Sequence, residues 1–239
     1  MNKEIEYPVR INRYLASKKV CSRREADELI RSGKVTINSR VAVLGDKVEK
    51  DDNVFVDEKA QNKKKLVYYA YHKPRGIVTH SPQGDEKDIL SISKFAEKVF
   101  PLGRLDKDSY GLILLTNDGR ITDQLLNPDN YHKKEYVVGV EKNVNSAFLH
   151  GLRCGVVLDD GYVARECEVE KLGATSFRIV LTEGKRRQIR RMCERLGYQV
   201  LDLKRDAIMN VRLGSLKAGA HRKLKGEELR EFLASLDLA

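Results

Sequence analysis

From residue 8 to about residue 58, apolar positions recur first at helical and then at strand spacing. In RINRYLASKKV, Ile11, Tyr14 and Leu15 share one helical face, with Arg10, Arg13 and Lys18 outside it. In CSRREADELIRSGKV, Ser22 and Glu25 form an S-x-x-E capping box, so a second helix starts at Ser22. That helix buries Ala26, Leu29 and Ile30, and Gly33 ends it as a C′ glycine. KVTIN, RVAVLGDKV and NVFVDE read as short strands, with a turn at Asn38-Ser39. Residues 59–66 carry charge without apolar period and read as a linker.

From Leu66 onward strand-like and helix-like segments interleave. LVYYAYHKP and GIVTH read as strands around a Pro74-Arg75-Gly76 turn, GLILLTND as a buried strand, and GRITDQLLNP as a short helix. KEYVVGVE is a strand, NSAFLHGLRCG a helix, and ECEVEKLG with SFRIVLTE a hairpin turning near Gly173 and Ala174. EGKRRQIRRMCERLG and EELREFLASL read as helices. Many strands without regular βαβ order predict an α+β fold, with a mainly antiparallel mixed sheet flanked by helices over residues 67–239.

Composition narrows the function. Of 239 residues, 41% are hydrophobic, enough for packed cores, and 45 Lys and Arg against 35 Asp and Glu give a net charge of +10. That surplus points to a polyanionic partner, nucleic acid first. The four cysteines are scattered with no C-x-x-C pair, and His150 with Cys154 lacks a second ligand pair, which argues against a metal site. The N-terminus has no signal-peptide core and no apolar run reaches membrane-spanning length, so a cytoplasmic protein with reduced thiols and no membrane association is expected.

Two charge clusters carry the candidate chemistry. Five of the seven residues 185–191 are basic, crowded into the start of a helix where mutual repulsion and the dipole both disfavour them. On that helix Ile189, Met192, Cys193 and Leu196 share the core face. Arg186 and Arg190 border it, either placed to reach a cleft, and Arg187 and Arg191 point outward to solvent or phosphate. In GRLDKDSYGLILLTNDG, Asp106 sits between Arg104 and Lys107 just ahead of an apolar run, with Asp108 a rival. An Asp in such a D-x-D loop is commonly a turn former. An arginine delivered to it would instead keep it ionised, suiting a nucleophile or a stabiliser of positive charge.

The N-terminal module, residues 8–58, resembles an S4 (α-L) RNA-binding domain along nearly its full length. FPLGRLDKDSYGLILLTNDG, YHKPRGIV, KKEYVV and LTEGKRRQIRRMCERLGY resemble four ordered motifs of the RsuA/RluB/RluE/RluF group of rRNA pseudouridine synthases, with His72 where Asn is usual and Ser109 where many members have Thr. The resemblance implies a monomeric isomerase that needs no cofactor or metal and acts on a flipped uridine of large-subunit (23S) rRNA, with a tRNA as a further candidate substrate. It places the catalytic carboxylate on Asp106, its salt-bridge partner on Arg190 and the active-site aromatic on Tyr136, with Arg104 holding the uridine outside its stack. Arg10, Arg13, Arg23, Arg24, Arg31 and Lys34 in the S4 module, and Lys73, Lys107, Arg186, Arg187 and Arg191 in the catalytic domain, are the expected RNA contacts. Another rRNA uridine as target, or a non-catalytic ribosome-assembly factor on the same fold, are the alternatives.

Overall fold

The computed structural model describes residues 6–57 and 65–238, so the linker expected at 59–66 lies, through residue 64, outside the described residues. The chain forms two compact units that part between Leu66 and Val67, with residues 118–121 grouped with the first.

In the N-terminal unit, β1 (Val9–Arg10) leads directly into α1 (Ile11–Ser17), and α2 (Arg23–Arg31) follows. Its cap is the reciprocal one read from the sequence. Ser22 Oγ accepts the Glu25 N–H at 3.2 Å and the Glu25 carboxylate accepts the Ser22 N–H at 3.0 Å. Gly33, at φ 67°, turns the chain out of the helix. Next come β2 (Val35–Ile37), β3 (Arg40–Val41), β4 (Lys47–Val48) and β5 (Val54–Val56), paired as β3-β2-β5 and β1-β4. RVAVLGDKV is therefore two strands rather than one, because the Asp46 carboxylate accepts the Val43 N–H at 2.9 Å and folds the segment into a turn. Ile11, Leu15, Ala26, Ile30, Val35 and Val48 fill the small core.

The second unit is built on a nine-stranded sheet. In chain order its elements are β6 (Tyr68–Lys73), α3 (Ile89–Ile92), β7 (Phe100–Leu102), β8 (Tyr110–Thr116), α4 (Ile121–Leu126), β9 (Lys134–Val140), α5 (Ser146–Arg153), β10 (Glu168–Lys171), β11 (Ser176–Leu181), α6 (Gln188–Arg195), β12 (Val200–Ile208), β13 (Val211–Arg212), β14 (His221–Lys223) and α7 (Gly226–Ala234). The strand order is β10-β11-β9-β12-β8-β6-β14, with β7 on β8 and β13 on β12, and every pairing is antiparallel except β12 with β8. The fold is thus α+β with a mainly antiparallel mixed sheet.

Two expected elements differ. GIVTH is not a strand: Val78 makes a lone bridge to Asp88, and the Thr79 hydroxyl is spent on Leu105 instead. The basic helix starts at Gln188 rather than near Lys185, since Arg187 adopts a left-handed φ of 51°. That shortening keeps Lys185 and Arg186 off the helix, where their charges would have met its positive end.

The sheet's one parallel pairing spans only Lys204↔Tyr110 and Arg205↔Gly111. Gly111 is required there. Its φ is 111°, and a Cβ on it would lie 2.2 Å from the Arg205 carbonyl oxygen. Register then sets a transverse row on one face: Ile179 opposite Tyr136, Tyr136 opposite Arg205, Arg205 opposite Gly111, and Gly111 opposite Lys73. Val138, Val140, Ile179 and Leu203 pack with α5 and α6 residues in one cluster, while Tyr69, Tyr71, Ile113 and Ile89 form another. The row carries polar side chains between these apolar groups.

Candidate active site

Asp106 lies in the turn between β7 and β8, and each flank of that turn is tied down. The Leu105 N–H donates to Thr79 Oγ1 at 3.0 Å, and the Thr79 hydroxyl donates to the Leu105 carbonyl at 2.9 Å. The Ser109 N–H donates to the Asp106 carbonyl at 3.1 Å and the Gly76 N–H to the Lys107 carbonyl at 2.9 Å. From the sheet below, Lys73 sends its three ammonium protons to the carbonyls of Ser109 (2.7 Å), Pro74 (2.9 Å) and Lys107 (3.4 Å). Asp106 is left half-buried, whereas Asp108 and Arg104 are exposed.

Lys73 is 0% exposed, which corrects its placement as an RNA contact: it is the post on which the Asp106 turn is hung. Burial pushes its amine down to about 8, opposed by the charges of Asp106 and then Asp108, and reinforced by Arg205.

Arg190, on α6, donates from Nη1 to the Val200 carbonyl at 2.9 Å and from Nη2 to Ser109 Oγ at 3.4 Å. Of the two arginines that helical spacing left open, it is therefore the one that reaches the Asp106 turn, and Arg186 is exposed and outside the helix. The direct salt bridge to Asp106 is not made: among the described residues Arg190 meets the turn through the Ser109 hydroxyl. Asp106 and Asp108 act on it through space, favouring its charge against burial, the larger effect, and against Arg187 and Arg75. Beside it opens a hollow of about 560 Å³ lined by Arg187, Glu194, Tyr198 and Val200.

Tyr136 is half-buried on β9 and packs against the α5–α6 cluster. Glu135, pointing to the other face, is paired with Arg178 at 3.2 Å and Arg212 at 3.4 Å. A register shift in β12 between Arg205 and Ala207 places a bulge beside Tyr136.

Two residues of the site escaped the sequence reading. Arg205 is 4% exposed; its Nε donates to the Leu112 carbonyl at 2.7 Å and its buried Nη2 has no partner. Lys134, two residues before Tyr136, donates to the His132 carbonyl at 3.1 Å, and burial followed by the Arg205 charge pushes its amine down to about 8. Strand parity is the signal for Arg205. In LDLKR it keeps the phase of Leu203, so an arginine stands where an apolar side chain would.

The remaining cations divide. Arg10, Arg13, Arg23, Arg24 and Arg31 are exposed without an ion pair among the described residues. Lys34 is paired with Asp57 at 3.2 Å and Lys107 with Glu86 at 2.9 Å, both at the surface. Arg191 does not point freely outward. Its side chain is 18% exposed and bonds Asp159 and Asp160, the latter at 2.8 Å. Arg187 and Arg186 are exposed.

A clamped carboxylate, an aromatic ring on the same sheet face as buried cations, and an exposed basic loop suit chemistry on a flipped nucleoside. Residues 67–195 match the profile of the RNA pseudouridylate synthase family and residues 9–54 that of the S4 domain. The chain belongs to the RNA pseudouridylate synthase family and is an isomerase of that class. It is 42% identical over 232 residues to the dual-specificity RNA pseudouridine synthase RluF of Escherichia coli (strain K12), covering 96% of this chain and 80% of that protein. It is 33% identical to the ribosomal large subunit pseudouridine synthase B of Bacillus subtilis (strain 168), covering 95% and 97%. A crystal structure of a pseudouridylate synthase matches with a TM-score of 0.69 at 25% identity, over 95% of this chain and 99% of that one.

Proposed function

We propose that this protein converts one uridine of large-subunit (23S) rRNA to pseudouridine, acts on a tRNA as a second substrate, and works as a cytoplasmic monomer. The observation that carries this reading is the 42% identity, along 96% of the chain, to a dual-specificity synthase. The 33% identity to a large-subunit synthase of another type supports the same rRNA and leaves a second uridine as the alternative target.

In this reading the reaction breaks C1′–N1, turns the uracil and joins C1′ to C5; the C5 proton leaves and N1 gains one, so atoms and electrons balance without an external reagent. Asp106 acts at the sugar, as nucleophile at C1′ or as base at C2′. Arg190, held by Ser109 and Val200, keeps positive charge beside that carboxylate. Tyr136 stacks on the uracil and its hydroxyl helps remove the C5 proton. Arg205, buried with an unpartnered Nη2, and half-buried Lys134 would meet the charge that builds on the uracil oxygens as the glycosidic bond opens. Arg104, exposed two residues from Asp106, keeps the uridine out of its stack. Flipping costs about a few kcal/mol, offset by phosphate contacts of the exposed arginines.

Pseudouridine mapping of rRNA and tRNA from a strain lacking the gene tests this. One rRNA site and one tRNA site should disappear and return with the wild-type gene but not with Asp106→Asn. Unchanged maps would overturn the reading.

A further inference from the structure

Tyr131 stands out among the residues that the mechanism leaves unused. It is 61% exposed and has a left-handed φ of 54°, a conformation that costs a bulky side chain about 1 kcal/mol or more. Arg165 lies over its ring at 4.5 Å. That arginine is fixed rather than loose. Its Nη1 donates to the Pro128 carbonyl at 2.6 Å, its guanidinium pairs with Asp129 at 3.6 Å and with Glu183 at 3.5 Å, and its backbone N–H donates to Glu183 at 3.1 Å. Glu183 is 1% exposed and also holds the side chain of Gln188, the first residue of α6 and two before Arg190. Tyr131 itself lies three residues ahead of β9 and five ahead of Tyr136. The ring is backed by a cation that Glu183 ties to the start of α6, and at an exposed site that contact contributes about 0.5–1 kcal/mol, no more than the backbone strain costs.

We infer that Tyr131, backed by Arg165, is a stacking platform for an unpaired base of the bound RNA outside the reacting uridine. The partner is RNA rather than protein on charge. The ring is backed by a cation, and the adjoining loop adds exposed Lys185, Arg186 and Arg187. An aromatic face with basic neighbours fits a base and its phosphate, and stacking is indifferent to which base it is. The inference rests on the proposed RNA reaction and adds to it a grip outside the reacting nucleotide.

The test measures binding of an unmodified RNA fragment carrying the target uridine to wild type, Tyr131→Phe and Tyr131→Asn, across salt concentrations, with melting temperature and pseudouridine yield alongside. Asparagine tolerates left-handed φ, so Tyr131→Asn should melt at or above the wild-type temperature. It should bind about tenfold more weakly with the salt slope unchanged, because stacking releases no counterions. Tyr131→Phe should stay within about twofold of wild type. Equal binding by wild type and Tyr131→Asn would overturn the platform, as would a weakened Asn variant with a lower melting temperature or a reduced salt slope. A wild-type protein that binds the fragment and isomerises nothing would instead overturn the proposed reaction, and the binding comparison would still decide the platform.

Discussion

The two units use positive charge in opposite ways. In the N-terminal unit Arg10, Arg13, Arg23, Arg24 and Arg31 lie in solvent, outside any ion pair among the described residues. In the second unit Lys73 and Arg205 are buried, Arg190 is half-buried, and each is bonded to backbone carbonyls. An exposed cation acts on a polyanion through a screened field and is replaceable by its neighbours. A buried one is held at one place and is costly to bury, so it is kept where it clamps backbone carbonyls or meets a negative charge. The first arrangement suits holding RNA; the second suits acting on one nucleotide.

The largest effect expected from breaking that contrast is on turnover. Asp106→Asn keeps the clamped turn but removes the charge. The rate of pseudouridine formation should fall about a thousandfold or more, roughly 4 kcal/mol of barrier, with RNA affinity nearly unchanged. Substantial residual activity in a single-turnover assay would take the chemistry away from this residue.

Glycines give the next test. Gly111→Ala would drive a methyl into the Arg205 backbone, whereas the nearest atom to a Cβ at Gly33 is a Val41 methyl at 3.9 Å. The first substitution should cost about 4 kcal/mol or prevent folding, and the second about 1 kcal/mol for its left-handed φ. Equal losses in denaturant melts would mean that the β8–β12 seam is more yielding than its geometry indicates.

Lys73 offers a pH signature. Its ordinary value of 10.5 falls to about 8 in the fold. Between those values the unfolded chain binds a proton that the folded chain has released, so stability rises with pH across that window, and the full penalty stands below pH 8. Lys73→Met should lose about 1–3 kcal/mol by removing the donor to the Ser109 and Pro74 carbonyls. The stability gap between wild type and variant should widen from pH 8 to 10, and a gap flat in pH would contradict the burial of a titrating amine. The smallest effect belongs to Arg24→Gln in the N-terminal unit. It should weaken RNA binding a few-fold, flatten the log–log salt slope by about 0.9 and leave melting unchanged; an unaltered slope would place Arg24 away from phosphate.

The N-terminal unit was largely legible because its signals are local. A capping box, a C′ glycine and an apolar stripe each act within a few residues, and α2 runs between its predicted ends. The second unit was legible where an element carries its own pattern, as in β8 and β9. It was misread where distant partners decide the conformation. GIVTH has strand composition, yet Thr79 bonds to Leu105, 26 residues on. The run before Gln188 has helical spacing, yet Arg187 turns left-handed. Lys73 beside a proline looked like a surface cation. Its parity with Tyr69 and Tyr71, which are 3% and 0% exposed, is the sign that it points inward. Asp106 stood out from its neighbours only through the family motif, since its clamps come from β6 and from the Thr79 loop.

The parallel seam between β8 and β12 also bears on the order in which the molecule assembles. Arg205 and its acceptor carbonyl on Leu112 are 93 residues apart in sequence, so this contact closes a far larger loop than the β10–β11 hairpin. Local pairings such as β10 with β11 can form early, whereas the seam must wait until both flanking segments are in place. The row from Tyr136 through Arg205 to Lys73 is continuous only once the seam has closed. A newly made chain therefore cannot offer the proposed nucleotide site until the seam has closed, and competence for chemistry becomes a report on that step of folding.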